Sequence, residues 1–245
     1  MGFLPLGDDN RNRHQAPVVV GTLVAVNLAV WIAQLVLGDP TTIGYATVPY
    51  EITHGVDLTS NAAFSLQSIR IDGHLHAVPQ YPGPTPIYVT LLTAMFMHGS
   101  WMHVLGNMLY LWIFGDQIED LLGRGKFILF YLLCGLSAGL AQVIAEPNSI
   151  LPCVGASGAI AGVLGAYLMK FPSNGVNVLV GIWHVTMPAV LVLGGWIALQ
   201  VIEQMHSLSG KSGGVAYMAH IGGFVAGSVL VFVFSGLRRT SASQE

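Results

Sequence analysis

The chain has 245 residues, of which 53% are hydrophobic and only 9% charged, with a formal net charge of −3. A soluble domain carries about 25% charged residues, so these proportions exclude an ordinary water-soluble globule. No basic stripe occurs, which excludes a nucleic-acid partner. The glycine count of 30 in so apolar a chain points to helices packed through small residues, as in membrane bundles. The two cysteines, Cys134 and Cys153, have neither metal nor redox spacing, and Cys134 reads as a small buried hydrophobe.

Residues 1–16 form a polar tail with Arg11, Arg13 and His14, expected on the cytoplasmic side. Gly2 does not open a myristoylation motif, because Leu6 stands where Ser or Thr is needed. The first apolar run, 17–37, exceeds the about 7–15 residues of a signal-peptide core and reads as a retained span. Residues 38–86 are polar and rich in Pro, Gly and Thr; they form an outer loop, either a disordered linker or a partly folded segment on the bilayer. The second span, 87–115, is interrupted by His98, His103 and Asn107. The third is 127–145, and the fourth, 154–170, is short and opens at a glycine-rich turn. Residues 176–185 read as an interfacial lead-in to the fifth span, 186–203. The sixth, 215–237, holds His220, and 238–245 form a second cytoplasmic tail. The expected architecture is therefore an all-α, polytopic bundle of six transmembrane helices over residues 17–237.

Charge placement tests this count. With the N-terminus in the cytoplasm, Arg11, Arg13, Arg124, Lys126, Lys170, Arg238 and Arg239 fall inside, and only Arg70 and Lys211 fall outside. That bias satisfies the positive-inside rule, and shifting the count by one span would spoil it. Short polar tails without an organelle-targeting segment point to a bacterial cytoplasmic membrane. No internal repeat is found, which weakens a transporter built from inverted repeats.

Strongly polar groups inside a span are expensive, so each is a functional hypothesis. Ser157 lies in Gly155-Ala156-Ser157-Gly158. The glycines allow a tight turn that presents its hydroxyl at a helix N-terminus, where unpaired N–H groups and the positive dipole end can stabilise an oxyanion. Ala159 distinguishes this motif from the Gly-x-Ser-x-Gly elbow of soluble hydrolases. His220 shares a helix face with Gly223 and Gly227, while Ser157, Ala161 and Gly165 recur every four residues on the fourth span. Two smooth faces permit close approach and hence a serine–histidine hydrogen bond, the minimum for activating a hydroxyl. No Asp or Glu lies beside His220, so a dyad is expected rather than a triad. His103 and Asn107, four apart on one face, can donate to the same oxyanion. His98 is expected elsewhere around the helix, holding the loop above it. The His-x4-His spacing lacks the Glu of His-Glu-x-x-His, so no zinc site is expected.

In order along the chain stand His98-x4-His103-x3-Asn107, Phe114-Gly115 with Glu119 and Gly123, Gly155-Ala156-Ser157-Gly158, and Ala219-His220-x-x-Gly223-x3-Gly227. Across residues 84–227 this set resembles the rhomboid intramembrane serine proteases. The resemblance implies a six-helix core without cofactor, Ser157 as nucleophile and His220 as base. It also implies that His103, Asn107 and the Ser157 N–H form the oxyanion hole. Substrates would be transmembrane segments of other proteins, cleaved at or near the outer face of the bilayer. Glu119, beside Arg124, would be a structural polar anchor at the inner end of the second span. Two positions depart from the family's common pattern: no Trp-Arg pair precedes the second span, and Ala161 stands where an aromatic residue usually backs the histidine. Two other readings remain open. One is a proteolytically silent relative that binds and escorts membrane proteins; the other is a proton path through His98, His103 and His220, which lacks a mid-span carboxylate.

Overall fold

The computed structural model describes residues 4–9, 11, 14–60, 66–71, 74–181, 183–208 and 215–236. The expected positions of Arg13, Lys211, Arg238, Arg239 and the 238–245 tail lie outside them. In chain order the elements are β1 (Leu4–Asp8), α1 (Val18–Leu37), α2 (Asp39–Gly44), α3 (Pro49–His54), β2 (Leu66–Ile71) and β3 (His74–Pro79). There follow α4 (Thr90–Thr93), α5 (Trp101–Leu122), α6 (Arg124–Ala145), α7 (Ser157–Lys170), β4 (Gly175–Val180), β5 (Trp183–Pro188), α8 (Ala189–Leu208) and α9 (Tyr217–Gly236).

The six long helices α1, α5, α6, α7, α8 and α9 make a polytopic helical membrane bundle. Among the described residues, α1, α6, α8 and α9 are long and apolar enough to cross a bilayer by themselves. The other two, α5 and α7, differ. α5 carries Asp116, Glu119 and Asp120 in its last turns, and α7 has only 14 residues, all buried from Gly158 to Tyr167. At 1.5 Å per residue α7 is about 21 Å long, short of a hydrocarbon layer about 30 Å thick. A central short helix can therefore begin below the surface of the layer.

The contact between α7 and α9 is the closest in the bundle. A Cβ on Gly223 would collide with the Gly158 carbonyl, one on Gly227 with the Gly162 carbonyl, and one on Gly165 with the Phe224 carbonyl. The stripe on α7 that meets α9 thus runs through Gly158, Gly162 and Gly165, not through Ser157, Ala161 and Gly165. The four-residue spacing drifts around a helix of 3.6 residues per turn, and Ala161 is buried away from that stripe. Ser157 is left at the edge of the contact, where its side chain remains partly open.

The second span differs from the continuous run over 87–115. Residues 87–96 form a short helical segment, Met97 is extended, and α5 starts only at Trp101. The break has a local cause: the Ser100 hydroxyl accepts the His103 N–H at 3.1 Å and caps the new helix. The interfacial lead-in expected at residues 176–185 is part of the β4–β5 hairpin, with α8 beginning at Ala189. β1 pairs antiparallel with β4, giving the sheet order β1-β4-β5. The polar N-terminal segment is therefore docked on the bundle through strand pairing.

The loop after α1 is folded where it is described. Thr47 and Cys153 exchange backbone hydrogen bonds (3.0 and 2.8 Å), and the Thr47 hydroxyl donates to the Thr90 carbonyl at 2.8 Å. Tyr50 N–H reaches the Ser149 carbonyl at 2.9 Å. These bonds tie the loop to the segment that runs into Ser157. At the opposite end, Lys126 donates to the Phe234 carbonyl at 3.3 Å and Lys170 lies 4.2 Å over the Phe232 ring. Two cations thus finish α9 at its negative end.

Candidate active site

Ser157 is the first residue of α7, after Ala156, whose carbonyl accepts the Ile160 N–H at 3.0 Å. Its own N–H has no carbonyl one turn earlier within the helix, so it belongs to the free donors of a helix start. Gly155 makes the turn into this position at φ +127°, a backbone region that side chains avoid. A Cβ at Gly155 would lie 2.7 Å from His103 Nε2 and 3.6 Å from Asn107 Nδ2. Both the turn and the room for the α5 side chains therefore require glycine.

His220 lies near the start of α9, facing the start of α7. Ser157 Oγ donates to His220 Nε2 at 2.7 Å, and His220 Nδ1 donates to Gln200 Oε1, also at 2.7 Å. The Trp196 ring, one turn before Gln200 on α8, lies 5.8 Å from the imidazole at a 40° tilt. An aromatic neighbour for the histidine therefore comes from α8, where Ala161 of α7 supplies none. Gln142 of α6 accepts the Ala219 N–H at 3.3 Å, sharing that donor beside His220 with the Ala216 carbonyl at 3.1 Å.

His103 and Asn107 lie one turn apart on α5, and both face the Gly155 turn. His103 Nδ1 accepts the Gly99 N–H at 3.5 Å, which leaves Nε2 as the protonated nitrogen toward the site. His98 does not point elsewhere around a helix. It precedes α5 in the extended break, fully buried, and its Nε2 accepts from Asn107 Nδ2 at 3.0 Å. Its Nδ1 reaches the Phe96 carbonyl at 3.3 Å, so the ring orients the Asn107 amide. His98 and His103 meet edge to face, with centroids 5.1 Å apart.

Glu119 anchors a helix more than it pairs with Arg124. Its carboxylate accepts the Val19 and Val20 N–H groups at 3.0 and 2.8 Å, capping the start of α1, whereas Arg124 Nε stands 4.0 Å away on a 53% exposed side chain. Gly158, Gly223 and Gly227 act through the α7–α9 contact.

Four residues that carry the site escape the sequence reading: Gln34, Gln142, Trp196 and Gln200. The three amides carried a usable signal, since each interrupts an apolar span; the tryptophan did not, being ordinary in such a helix. A cavity of about 530 Å³ lies between α5, α7, α8 and α9 and is lined by His103, Asn107, Ser157, Trp196, Gln200 and His220. A smaller one of about 50 Å³ lies behind Ser157 among Met95, Gly135, Ala138 and Gly139. Among the described residues no group of three His, Cys, Asp or Glu side chains is placed to hold a metal ion.

A family model described as the Rhomboid domain matches residues 86–237. Over 170 residues the chain is 30% identical to the chloroplastic Rhomboid-like protein 11 of Arabidopsis thaliana, covering 65% of this chain and 57% of that relative. Over 148 residues it is 35% identical to Rhomboid protease GluP of Bacillus subtilis, covering 57% of this chain and 25% of the relative. It is 29% identical over 145 residues to the mitochondrial Rhomboid protein 1 of Saccharomyces cerevisiae, covering 57% and 40%. The chain thus spans less than two thirds of each of these relatives.

Proposed function

The chain belongs to the rhomboid family, and on that premise we propose that it is a serine protease cleaving transmembrane segments of other membrane proteins. The observation that carries this reading is the 2.7 Å hydrogen bond from Ser157 Oγ to His220 Nε2, at a helix start that borders a cavity. A serine hydroxyl is a weak nucleophile until a base takes its proton.

In the proposed reaction His220 Nε2 takes the hydroxyl proton as Ser157 Oγ attacks the scissile carbonyl carbon. The carbonyl oxygen becomes an oxyanion, met by the Ser157 N–H, His103 Nε2–H and the Asn107 amide. The imidazolium then gives its proton to the leaving amine, the C–N bond breaks, and an acyl ester remains on Ser157. Water entering through the cavity gives a proton to His220 and attacks the ester; the bond from the acyl carbon to Ser157 Oγ then breaks, the imidazolium returns its proton to Oγ, and the carboxylic acid leaves. No cofactor takes part. The small cavity behind Ser157 has room for a side chain about the size of alanine or serine, so a small residue is expected beside the cut.

With the N-terminus in the cytoplasm, residues 17–237 would form the membrane domain of a bacterial cytoplasmic membrane protein, with the site open to the outer side. Arg11, Arg124, Lys126 and Lys170 all lie toward the end opposite Ser157, which supports that orientation. The test is cleavage of a panel of single-span proteins in liposomes by wild type, Ser157→Ala and His220→Ala. Loss in both variants is expected, and cleavage that persists in both would refute the mechanism. Absence of labelling of Ser157 by a fluorophosphonate in any lipid would favour the silent escort instead.

A further inference from the structure

We propose that Gln200 is a positioning residue for the base, its amide oxygen holding His220 in the tautomer that can accept the Ser157 proton. This rests on the serine-protease reading. A neutral imidazole carries one proton. With that proton on Nδ1 and directed at Gln200 Oε1, Nε2 keeps its lone pair for Ser157 Oγ. Without an acceptor at Nδ1 the proton is free to sit on Nε2, and such a ring cannot act as base toward the hydroxyl. The same amide oxygen faces the Nδ1–H of the imidazolium formed in the reaction and stabilises it.

Both contacts that set the ring come from α8, since Trp196 takes its face and Gln200 its edge. The pair is one helical turn apart, so a single helix face does both. A carboxylate in Gln200's place would accept the same proton, but a buried charge inside a membrane span is costly. The amide provides the acceptor without the charge. The expected dyad is thereby completed by a neutral third group, which no acidic residue near His220 could have revealed.

The experiment compares wild type, Gln200→Leu, Gln200→Glu and Ser157→Ala in liposomes, with a fluorogenic single-span peptide and a fluorophosphonate label, from about pH 5 to about pH 9. Gln200→Leu is expected to lower kcat about tenfold to a hundredfold with KM within about twofold, and to slow labelling in parallel. Gln200→Glu keeps the acceptor and should recover most of that loss. Its carboxylate favours the imidazolium, so the acid limb of its pH–rate profile should move to higher pH. A Leu variant with wild-type kcat and profile overturns the proposal. So does equal impairment of Leu and Glu variants whose melting temperatures match wild type. If Ser157→Ala cleaves like wild type, the protease reading fails and this proposal with it; an inactive Ser157→Ala beside an unimpaired Leu variant refutes this proposal alone.

Discussion

Gln34 of α1 grips both backbone polar groups of His98: its Oε1 accepts the His98 N–H at 3.1 Å and its Nε2 donates to the His98 carbonyl at 2.9 Å. The same amide nitrogen also donates to the Thr42 hydroxyl at 2.8 Å. A polar side chain of the first helix thereby holds the break before α5 and, through His98, the Asn107 amide. Gln34→Leu leaves two buried backbone groups without partners, at about 1–3 kcal/mol each. The expected outcome is a lower melting temperature in detergent together with reduced kcat, whereas Thr42→Val should lower neither by a comparable amount.

Glu119 and Arg124 separate a helix cap from an ion pair. Removing the carboxylate in Glu119→Ala strips the α1 start of two charge-assisted hydrogen bonds and is expected to cost about 2–4 kcal/mol. Arg124→Ala removes only an exposed, long contact and should stay within about 0.5 kcal/mol of wild type. Reversible unfolding in mixed micelles distinguishes the two; equal losses would restore the ion pair as the anchor.

Gly155→Ala is expected to reproduce the loss expected on removing His103. The added methyl meets His103 Nε2 and requires a side chain at φ +127°. Loss of one oxyanion donor costs about a hundredfold to a thousandfold in kcat. Gly155→Ala and His103→Ala should each fall in that range, and the double variant should fall well short of the product of the two losses, because in the proposed mechanism both act on one donor.

Docking of β1 should depend on pH through Asp8. Burial pushes this carboxyl up from 3.8 to about 6, although Tyr167 donates to it at 2.6 Å and Gln117 at 2.9 Å. Its other oxygen, Oδ1, is buried with no hydrogen-bond partner among the described residues. A raised folded-state pKa means that docking favours the protonated acid. The contribution is complete below about pH 4 and is lost as pH rises through about 6. Hydrogen exchange at Leu4–Asp8 should therefore show stronger protection at about pH 5 than at about pH 8, after correction for intrinsic exchange rates, and Asp8→Asn should abolish the difference. Asp9 gives no such signal in this window, since the adjacent Arg11 guanidinium holds it at about 2.

Apolar run lengths, the placement of nine Lys and Arg residues and the order of short motifs were enough to reach six helices, the family, and the pairing of Ser157 with His220. Those features are local: helical period and hydropathy report burial within one segment, and a glycine beside a serine reports a turn at that serine. Even so, the stripe that packs α7 on α9 departs by one position at Gly158 and Gly162 from the one a strict four-residue spacing predicts, because that spacing ignores the 3.6-residue turn. The continuous apolar run over 87–115 hides a helix break, because four residues between two apolar runs barely change a hydropathy window.

What lay beyond reach were relationships between segments far apart in the chain. Glu119 sits five residues from Arg124, yet its carboxylate serves the start of α1. Residues 176–185 read only as an interfacial lead-in, and their strand character depends in part on β1, far away in sequence, which pairs with residues 176–179. A glutamine or tryptophan in an apolar helix has no fixed meaning by itself, since its donors and acceptors bind whatever the packed neighbours present. Ser157 and His220 were therefore legible as a pair, while the orientation of that histidine was decided only when α8 folded against it.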